Sequence, residues 1–192
     1  MKIALPLAVA SLAAGAALAA PVTYQVDPGH TYPSFAADHF GGLSVWRGKF
    51  DASSGSVVLD REAGTGTVNI TVDTTSIDLG HAKLNEHVKS ADGMLDVQKY
   101  PTAVYQGTLT SFKNGAPTEV HGELTLHGVT RPVNLTINSF VCKPTPPANK
   151  VRCGADASGT IDRADFGINW GEKLGFSMKV TLAIQVEAIP AG

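Results

Sequence analysis

Six histidines are the side chains of this 192-residue chain with the widest chemical range, because an imidazole can ligate a metal or move a proton near neutral pH. None of them stands in a His-x-His or His-Glu-x-x-His spacing, and there is no Cys-x-x-Cys pair. We therefore expect His30, His39 and His127 to hydrogen-bond backbone groups at the ends of strands. A hydrolase that uses His39 or His127, or a metal-binding protein, remains the alternative function.

Nucleophilic catalysis has little support in the sequence, since no Gly-x-Ser-x-Gly segment is present. The two cysteines, Cys142 and Cys153, bracket a Pro-rich segment between two strand-like runs. In a secreted protein this arrangement is more typical of a disulfide that closes a hairpin than of a metal-binding or redox pair of cysteines. Asp162, Arg163 and Asp165 could form an acid cluster, but two acids beside an arginine are more typical of a structural ion pair. We predict no catalytic residue, no metal site and no enzymatic activity.

Aromatic side chains form the second group with functional potential. Ligand pockets are lined by apolar and aromatic side chains with few polar groups, so an inward-facing aromatic set suits a long apolar ligand. The same side chains could equally fill a solid core, and the sequence pattern does not decide between a hollow and a filled interior. The aromatic residues mostly at inward-facing positions are Phe35, Trp46, Phe50, Tyr105, Phe166, Trp170 and Phe176.

The elements that must position these side chains are mainly strands. In residues 124–135, Leu124 and Leu126 alternate with polar residues, which is the period of a strand with one buried face. Gly128 can take a positive φ at the corner that follows, and we expect Pro132 to open the next strand. This stretch is therefore predicted to be a β-hairpin with an apolar inner face.

One segment has the spacing of a helix instead. In residues 81–90, Leu84 and Val88 lie four residues apart, and Ala91 continues the same apolar stripe. About eight strand-like segments and this short helix predict an all-β fold, most simply an antiparallel eight-stranded barrel, with a two-sheet sandwich as the fallback. A barrel of eight strands can leave room for one small ligand.

The N-terminal segment and the balance of charges indicate where the domain is located and which partners it does not bind. Lys2 followed by an apolar, Ala-rich run that ends in Ala-Leu-Ala at 17–19 predicts a signal peptide over residues 1–19, and residues 20–192 are expected to form one domain. Seventeen acidic residues stand against 15 lysines and arginines, with no basic run. The composition therefore argues against a nucleic-acid-binding surface.

The segment at 124–135, Leu-Thr-Leu-His-Gly-Val-Thr-Arg-Pro-Val-Asn-Leu, resembles the central signature of the YceI family. One departure lies at residues 84–87, Leu-Asn-Glu-His, where members of the family often carry Arg-Asp before the histidine. Further matches follow the order of the family along the chain: His30, His39, Gly48-Lys49-Phe50, Lys99-Tyr100-Pro101, and the Arg-x-x-Phe-Gly-Ile pattern at 163–168.

The resemblance implies a lipocalin-like barrel that binds a polyisoprenoid lipid in the bacterial periplasm, and it favours a hollow interior. We expect a polyprenyl phosphate or an isoprenoid quinone as ligand, no further cofactor, and transient contact with a membrane or a membrane protein, while a homodimer stays open. We expect the helix, the segment 94–95 and the loop 166–176 to form the rim at the open end of the barrel. Arg163 is the expected cation for the phosphate head of a ligand. The predicted ligand-binding residues are Phe35, His39, Trp46, Phe50, Leu84, Val88, Met94, Leu95, Tyr105, Arg163, Phe166, Trp170 and Phe176.

Overall fold

The computed structural model describes residues 20–92, 94–147 and 149–191, so the predicted signal peptide at 1–19 lies outside the described residues. Within them, no helix is both long and apolar enough to cross a membrane. The strands are β1 (Val22–Val26), β2 (Tyr32–His39), β3 (Ser44–Phe50), β4 (Ser53–Asp60), β5 (Thr65–Asp73), β6 (Ile77–Asp78), β7 (Thr102–Thr110), β8 (Glu119–Leu126), β9 (Val129–Pro132), β10 (Leu135–Thr145), β11 (Lys150–Asp162) and β12 (Lys179–Pro190). The helices are α1 (Ala82–Lys89) and the 3₁₀-helices η1 (Thr74–Ser76), η2 (Arg163–Phe166) and η3 (Glu172–Leu174).

The strands have one apolar and one polar face because apolar and polar residues alternate along them. In β12, Val180, Leu182 and Ile184 face the interior of the molecule, whereas Thr181 and Ala183 between them are exposed. Successive side chains of a strand point to opposite faces, so this pattern fixes which side of the sheet is buried.

The sheet closes on itself through the first and last strands. Its hydrogen-bonded order is β1, β4, β5, β7, β8, β10, β11 and β12, and β1 returns to β12 through the pairs Tyr24–Pro190 and Val26–Ala188. These eight antiparallel strands form the predicted barrel, and the two-sheet sandwich is wrong. Next to β12 the sheet continues through β2, β3 and β6, and β9 pairs with β8.

The connections between strands divide the barrel into two ends. The end that we call the hairpin end carries the β4–β5, β7–β8 and β10–β11 hairpins. The opposite end, which we call the loop end, carries the β2–β3 hairpin, the segment from η1 to residue 101, the β8–β9 turn and the β11–β12 connection. The longer irregular segments therefore gather at the loop end.

The β8–β9 turn is a two-residue corner in which both central residues have positive φ, 52° at His127 and 74° at Gly128. A Cβ at position 128 would lie 2.6 Å from Cε1 of Tyr100, so both the backbone and the packing require glycine there. Pro132 does not open a strand, as the sequence predicted, but ends β9 opposite Glu123. Proline has no N–H for the ladder, and β10 begins only at Leu135.

The helix α1 spans residues within the predicted segment 81–90 and is fixed at the loop end by hydrogen bonds to the segments before and after it. The side chain of Asn85 accepts a hydrogen bond from the Leu79 amide at 2.8 Å and donates one to Asp78 at 3.0 Å. The amide of Leu95 donates to the Val88 carbonyl at 3.1 Å, which returns the chain onto the last turn of the helix. Asn85, within the segment that departs from the family pattern, thus ties the helix to β6.

The two cysteines form the predicted disulfide. Cys142 on β10 and Cys153 on β11 are direct partners in the antiparallel pairing, with their Cα atoms 4.0 Å apart. The bridge closes a short loop at the hairpin end. In the chain-entropy account a loop of this length contributes about 2–3 kcal/mol to stability.

A group of charged side chains holds β1, β11 and β12 together where β1 meets β2. Arg152 donates to the carboxylate of Asp27 and, at 3.0 Å, to that of Glu187. His30 Nδ1 lies 2.9 Å from the same Asp27 carboxylate, and the amide of Asp27 donates to the Glu187 carbonyl. The hydrogen bond from Arg152, supported by those from His30 and Gly29, lowers the pKa of Asp27 to about 2.

We expect this carboxylate to set the acid limit of stability. Because its pKa is about 2 in the folded protein against an ordinary value of 3.8, its contribution is complete above about pH 4 and is lost as the pH falls towards 2. Asp27→Asn should lower the free energy of unfolding at pH 7 by about 1–2 kcal/mol and flatten the decline between pH 4 and pH 2. Urea unfolding across this pH range measures both effects. Asp51→Asn, which removes an exposed pair with Lys49, is the control and should change little.

Candidate ligand-binding cavity

The barrel encloses a cavity of about 340 Å³, within the range of pockets that hold small molecules. Its wall is built mainly from the inward-facing side chains of the strands. Asp38 and Arg163 are the charged side chains that line it among the described residues. Large aliphatic residues of the wall include Val57, Leu59, Val68, Ile70, Leu109, Val120, Leu124, Leu126, Leu135, Ile137, Leu182 and Ile184.

The cavity follows the strands for most of their length. Five alternate residues of β12, from Val180 to Ala188, line it. At about 3.3 Å per residue, these positions span about 26 Å along the strand, and the tilt of barrel strands reduces this to about 20 Å along the barrel axis. Trp46 and Trp170 line it at the loop end, and Pro117 and Phe140 line it towards the hairpin end. A cavity of this depth and volume suits a narrow chain better than a compact ligand.

Small side chains keep the interior open on one side of the wall. Gly154, Ala155 and Ala157, all in the small-residue stretch of β11, line the cavity. Elsewhere glycine accommodates a ring, because a Cβ at position 122 would lie 2.6 Å from the Tyr105 hydroxyl oxygen. The Tyr105 hydroxyl donates to the Val133 carbonyl at 2.9 Å, and burial raises the pKa of Tyr105 to about 12. Tyr105 therefore presents a ring to the cavity while its polar atom is satisfied by the wall.

Aromatic rings surround the cavity at the loop end. His39 stacks on Trp46 with ring centroids 4.0 Å apart and contacts Phe176 edge-on at 5.3 Å. Trp170 and Phe40 each pack against Phe176, at 5.3 Å and 4.6 Å. The rings form a continuous aromatic cluster from the β2–β3 hairpin to the β11–β12 connection.

The outer side of this cluster is exposed and apolar. Leu43 is 77% exposed, Leu174 59% and Phe40 49%. Leu43 and Phe40 belong to the β2–β3 hairpin, and Leu174 to η3. We call these three residues the apolar tip. Through the contact of Phe40 with Phe176, the tip is continuous with the cavity wall.

The two charged residues of the wall are engaged by backbone groups. Asp38 accepts hydrogen bonds from the amides of Gly41 and Ser177, at 2.9 and 2.8 Å, and from Gly42. These bonds, with Ser177 contributing most, lower the pKa of Asp38. Because the amides come from both the β2–β3 hairpin and the β11–β12 connection, Asp38 joins these two segments of the loop end.

Arg163 departs from the prediction of a structural ion pair with Asp162 or Asp165. Its guanidinium donates to the carbonyls of Ile168 at 2.9 Å and Trp170 at 2.7 Å, and it makes no ion pair within the described part of the chain. Asp162 instead accepts from the Ala164 amide and caps η2. Desolvation by burial lowers the pKa of Arg163. The arginine thus holds the loop after η2 while facing an apolar cavity.

The structure brings ten of the predicted ligand-binding residues to the cavity wall and leaves three outside it. Leu84 lies one helical turn before Val88 and does not reach the wall, and His39 lies behind Trp46. Phe166 is 1% exposed and packed in the core. It belongs to the 3₁₀-helix η2, and the alternation of strand residues does not predict which way its side chain points. The residues at the wall are Phe35, Trp46, Phe50, Val88, Met94, Leu95, Tyr105, Arg163, Trp170 and Phe176.

The sequence-based site omitted most of the wall, which is aliphatic. Val68, Ile70 and Val72 line the cavity, but their alternation with polar residues does not assign them to a site, because burial in a core and exposure to a cavity leave the same pattern. The signal that could have located them is their position opposite the glycine and alanine residues of β11.

The histidines are placed for structural contacts. His127 was predicted to bond a backbone group, and its Nδ1 lies 3.0 Å from the Phe166 carbonyl oxygen, while its ring packs on Tyr100 at 4.3 Å. The same prediction is wrong for His30, which contacts the Asp27 carboxylate, and for His39, which stacks on Trp46. In residues 20–92, 94–147 and 149–191, no three His, Cys, Asp or Glu side chains gather as metal ligands would.

Comparison with known proteins identifies relatives over the whole domain. A sequence model of the YceI-like domain matches residues 24–188. Protein YceI of Escherichia coli O157:H7 is 35% identical over 192 residues, covering 98% of this chain and 97% of the relative. A UPF0312 protein of Pseudomonas aeruginosa strain LESB58 is 34% identical over 188 residues, covering 97% and 95%.

Two solved structures share the fold at low sequence identity. The crystal structure of BcnA from Burkholderia cenocepacia has a TM-score of 0.65 and 21% identity, covering 84% of this chain and 98% of BcnA. A polyisoprenoid-binding domain from Saccharophagus degradans, implicated in plant cell wall breakdown, has a TM-score of 0.59 and 16% identity, covering 88% and 99%.

His127 should contribute to stability more than to ligand binding, because its contact joins the β8–β9 turn to η2 and lies outside the cavity wall. His127→Ala removes a hydrogen bond and the packing on Tyr100, and should lower the free energy of unfolding by about 1–3 kcal/mol. Thermal unfolding of the variant, with and without a bound apolar probe, separates the two effects. His121→Ala, at an exposed position on β8, is the matched control. Unchanged stability with lost binding would contradict this assignment.

Proposed function

This chain belongs to the YceI-like family, and from that premise we propose that it carries a long apolar lipid of the isoprenoid type inside its barrel without catalysing a reaction. The observation that carries the proposal is the cavity wall, which is apolar for about 20 Å along the barrel axis and has Asp38 and Arg163 as its charged residues within the described chain. A wall that is apolar over most of its length favours a hydrocarbon chain, since a polar group of the ligand would find few partners along it.

The binding energy of such a ligand comes from the water released by its chain. Burial of one CH₂ contributes about 0.8 kcal/mol, so about ten buried carbons offset the cost of immobilising the ligand in the cavity. No covalent step or fixed polar contact is required for retention. Because the binding energy comes from burial of apolar surface, we expect tight binding with modest selectivity among chains of similar width.

We place the carrier in the periplasm. Two features support this location: the signal-peptide pattern of residues 1–19, and the Cys142–Cys153 disulfide, which is typical of an oxidising compartment. A carrier there could accept a lipid from a membrane and protect its chain from water.

Filling the cavity should abolish binding without changing the surface. Ala155→Phe places a ring among the small residues of β11, so we expect lipid that copurifies with the wild type to be lost. Ala183→Phe is the matched control, since Ala183 is exposed on the neighbouring strand and pairs opposite Ser158. Native mass spectrometry of the protein purified from its secreting host measures the bound mass.

The carrier function requires a specific pattern of bound mass among these three proteins. Bound lipid in the wild type and in Ala183→Phe, together with its absence in a folded Ala155→Phe, supports the carrier. A wild-type protein that never carries or takes up an apolar chain would contradict it.

We further propose that the apolar tip contacts a lipid bilayer when the ligand enters or leaves. The tip joins the cavity wall through Phe40 and Phe176, so a chain could pass along apolar contacts without crossing water. Lys173 is exposed next to Leu174 and makes no ion pair within the described residues, which suits anionic headgroups at the membrane surface. Partial insertion of large apolar side chains is the usual basis of such reversible contact.

Charges at the tip should weaken this contact. Leu43→Asp and Leu174→Asp should each reduce binding to phosphatidylethanolamine–phosphatidylglycerol vesicles by about tenfold, because each removes one large apolar side chain from the contact and adds a negative charge. Val141→Asp is the control, since Val141 is 56% exposed on β10. Vesicle cosedimentation measures the change. An equal loss in all three variants would contradict a specific role of the tip.

A further inference from the structure

Phe140 faces the interior of the barrel because of an irregularity in β10. The register of β10 against β11 shifts between Ile137 and Ser139, so β10 carries one extra residue there. Such a bulge changes which of the following side chains point inward. Ile137 and Phe140 both line the cavity although they are three positions apart, and Val141 after them is exposed. Strict alternation from Ile137 would have placed Phe140 on the outer face of the sheet.

The ring of Phe140 lies between the cavity and the outside of the barrel at the hairpin end. It lines the cavity, and the Cζ atom of Arg61, an exposed residue, lies 5.9 Å from its ring centroid. Arg61 belongs to the β4–β5 hairpin, and its Nε donates to the carbonyl of Gly115 on the β7–β8 hairpin at 2.9 Å. At this position a phenyl ring therefore separates the cavity from a solvated side chain.

The wall beside Phe140 is closed by well-buried side chains. Leu59 on β4, Leu109 on β7 and Val120 on β8 line the same end of the cavity. They are 3%, 6% and 5% exposed, so solvent does not reach the cavity between these strands. A chain that extends along the cavity towards the hairpin end therefore meets the ring of Phe140 rather than an opening.

The neighbours of Phe140 give its ring room and hold its strand in place. Ala155 is the direct partner of Phe140 on β11 and also lines the cavity, so a small side chain leaves space beside the ring. The Cys142–Cys153 disulfide begins two residues after Phe140 and joins β10 to β11 covalently. The backbone that carries the ring is thus held against β11 when a ligand presses on it.

We propose that Phe140 is the end wall of the cavity and sets the greatest length of hydrocarbon chain that the barrel can bury. A carbon of the ligand adds to the affinity only while it finds room inside, because the gain comes from leaving water. Carbons beyond the limit stay in water at the loop end and add nothing. One ring then selects for chain length, which the apolar side wall does not. This inference rests on the carrier function proposed above.

The test measures affinity as a function of chain length. A series of 1-alkanols that differ by one CH₂ is the ruler, and each member displaces a fluorescent fatty-chain dye from the folded, delipidated protein. Phe140→Leu and Phe140→Ala move the end wall outward, and Phe140→Trp moves it inward. Phe35→Leu, which removes a ring from the side of the cavity, is the matched control. Thermal unfolding identifies the variants that are folded.

In the wild type, affinity should rise about fourfold with each added CH₂ and stop rising at a definite chain length. We expect this limit to lie at longer chains in Phe140→Leu and Phe140→Ala, at shorter chains in Phe140→Trp, and at the wild-type length in Phe35→Leu. An alkanol about two carbons longer than the wild-type limit should bind Phe140→Ala about tenfold more tightly than it binds the wild type. Should Phe140→Ala not fold, Phe140→Leu and Phe140→Trp make the same comparison.

Three results would overturn the inference. A limit at the same chain length in the wild type and in every folded Phe140 variant would place the end wall elsewhere. An equal shift of the limit in Phe35→Leu would show that any loss of a ring loosens the cavity. Affinity that rises throughout the series in the wild type would show that the hairpin end is open. Absence of binding for every alkanol would instead overturn the carrier function itself.

Discussion

The continuous hydrogen bonding of the backbone around the barrel is the interaction on which the cavity depends. A strand edge inside an apolar space would leave amide and carbonyl groups without partners, at a cost that apolar side chains cannot offset. Pairing of β1 with β12 removes that edge, so the interior surface consists of side chains alone. The wall can then stay apolar over most of its length. Tyr105 and Asp38, which reach the wall, are satisfied by backbone groups: the Tyr105 hydroxyl donates to the Val133 carbonyl, and Asp38 accepts from amides.

The local elements were predictable because each depends on neighbours in sequence. Alternation predicted the strands, and the i, i+4 spacing of Leu84 and Val88 predicted a helix that ends within one residue of the observed bounds. The closure of the sheet could not be derived from alternation, because a sandwich needs the same pattern. Family resemblance and the number of strands favoured the barrel. The disulfide was predictable since its cysteines bracket one hairpin.

The site was less predictable because its geometry depends on contacts across the fold. Phe166 and Arg163 are three residues apart in η2, yet the phenyl ring is packed in the core and the guanidinium lines the cavity. The partners of Arg163 are carbonyls five and seven residues further along the chain, and charge patterns in a sequence do not reveal carbonyl partners. His87 gave no signal beyond its place on a short helix. Its Nε2 is buried, without a hydrogen-bond partner among the residues that the structure describes, and no sequence pattern reveals this.

The pairing of β1 with β12 also has a consequence for how the chain folds. The paired residues, such as Tyr24 and Pro190, lie more than 160 positions apart, so the loop closed by this seam is nearly the whole domain. Contacts of this separation form late and slow the folding of β-proteins, because the entropy of the intervening chain is lost before the contact is gained. A chain still being synthesised lacks β12 and cannot complete the ring. Until its last strand arrives, the molecule retains open sheet edges that chaperones can recognise and that can aggregate.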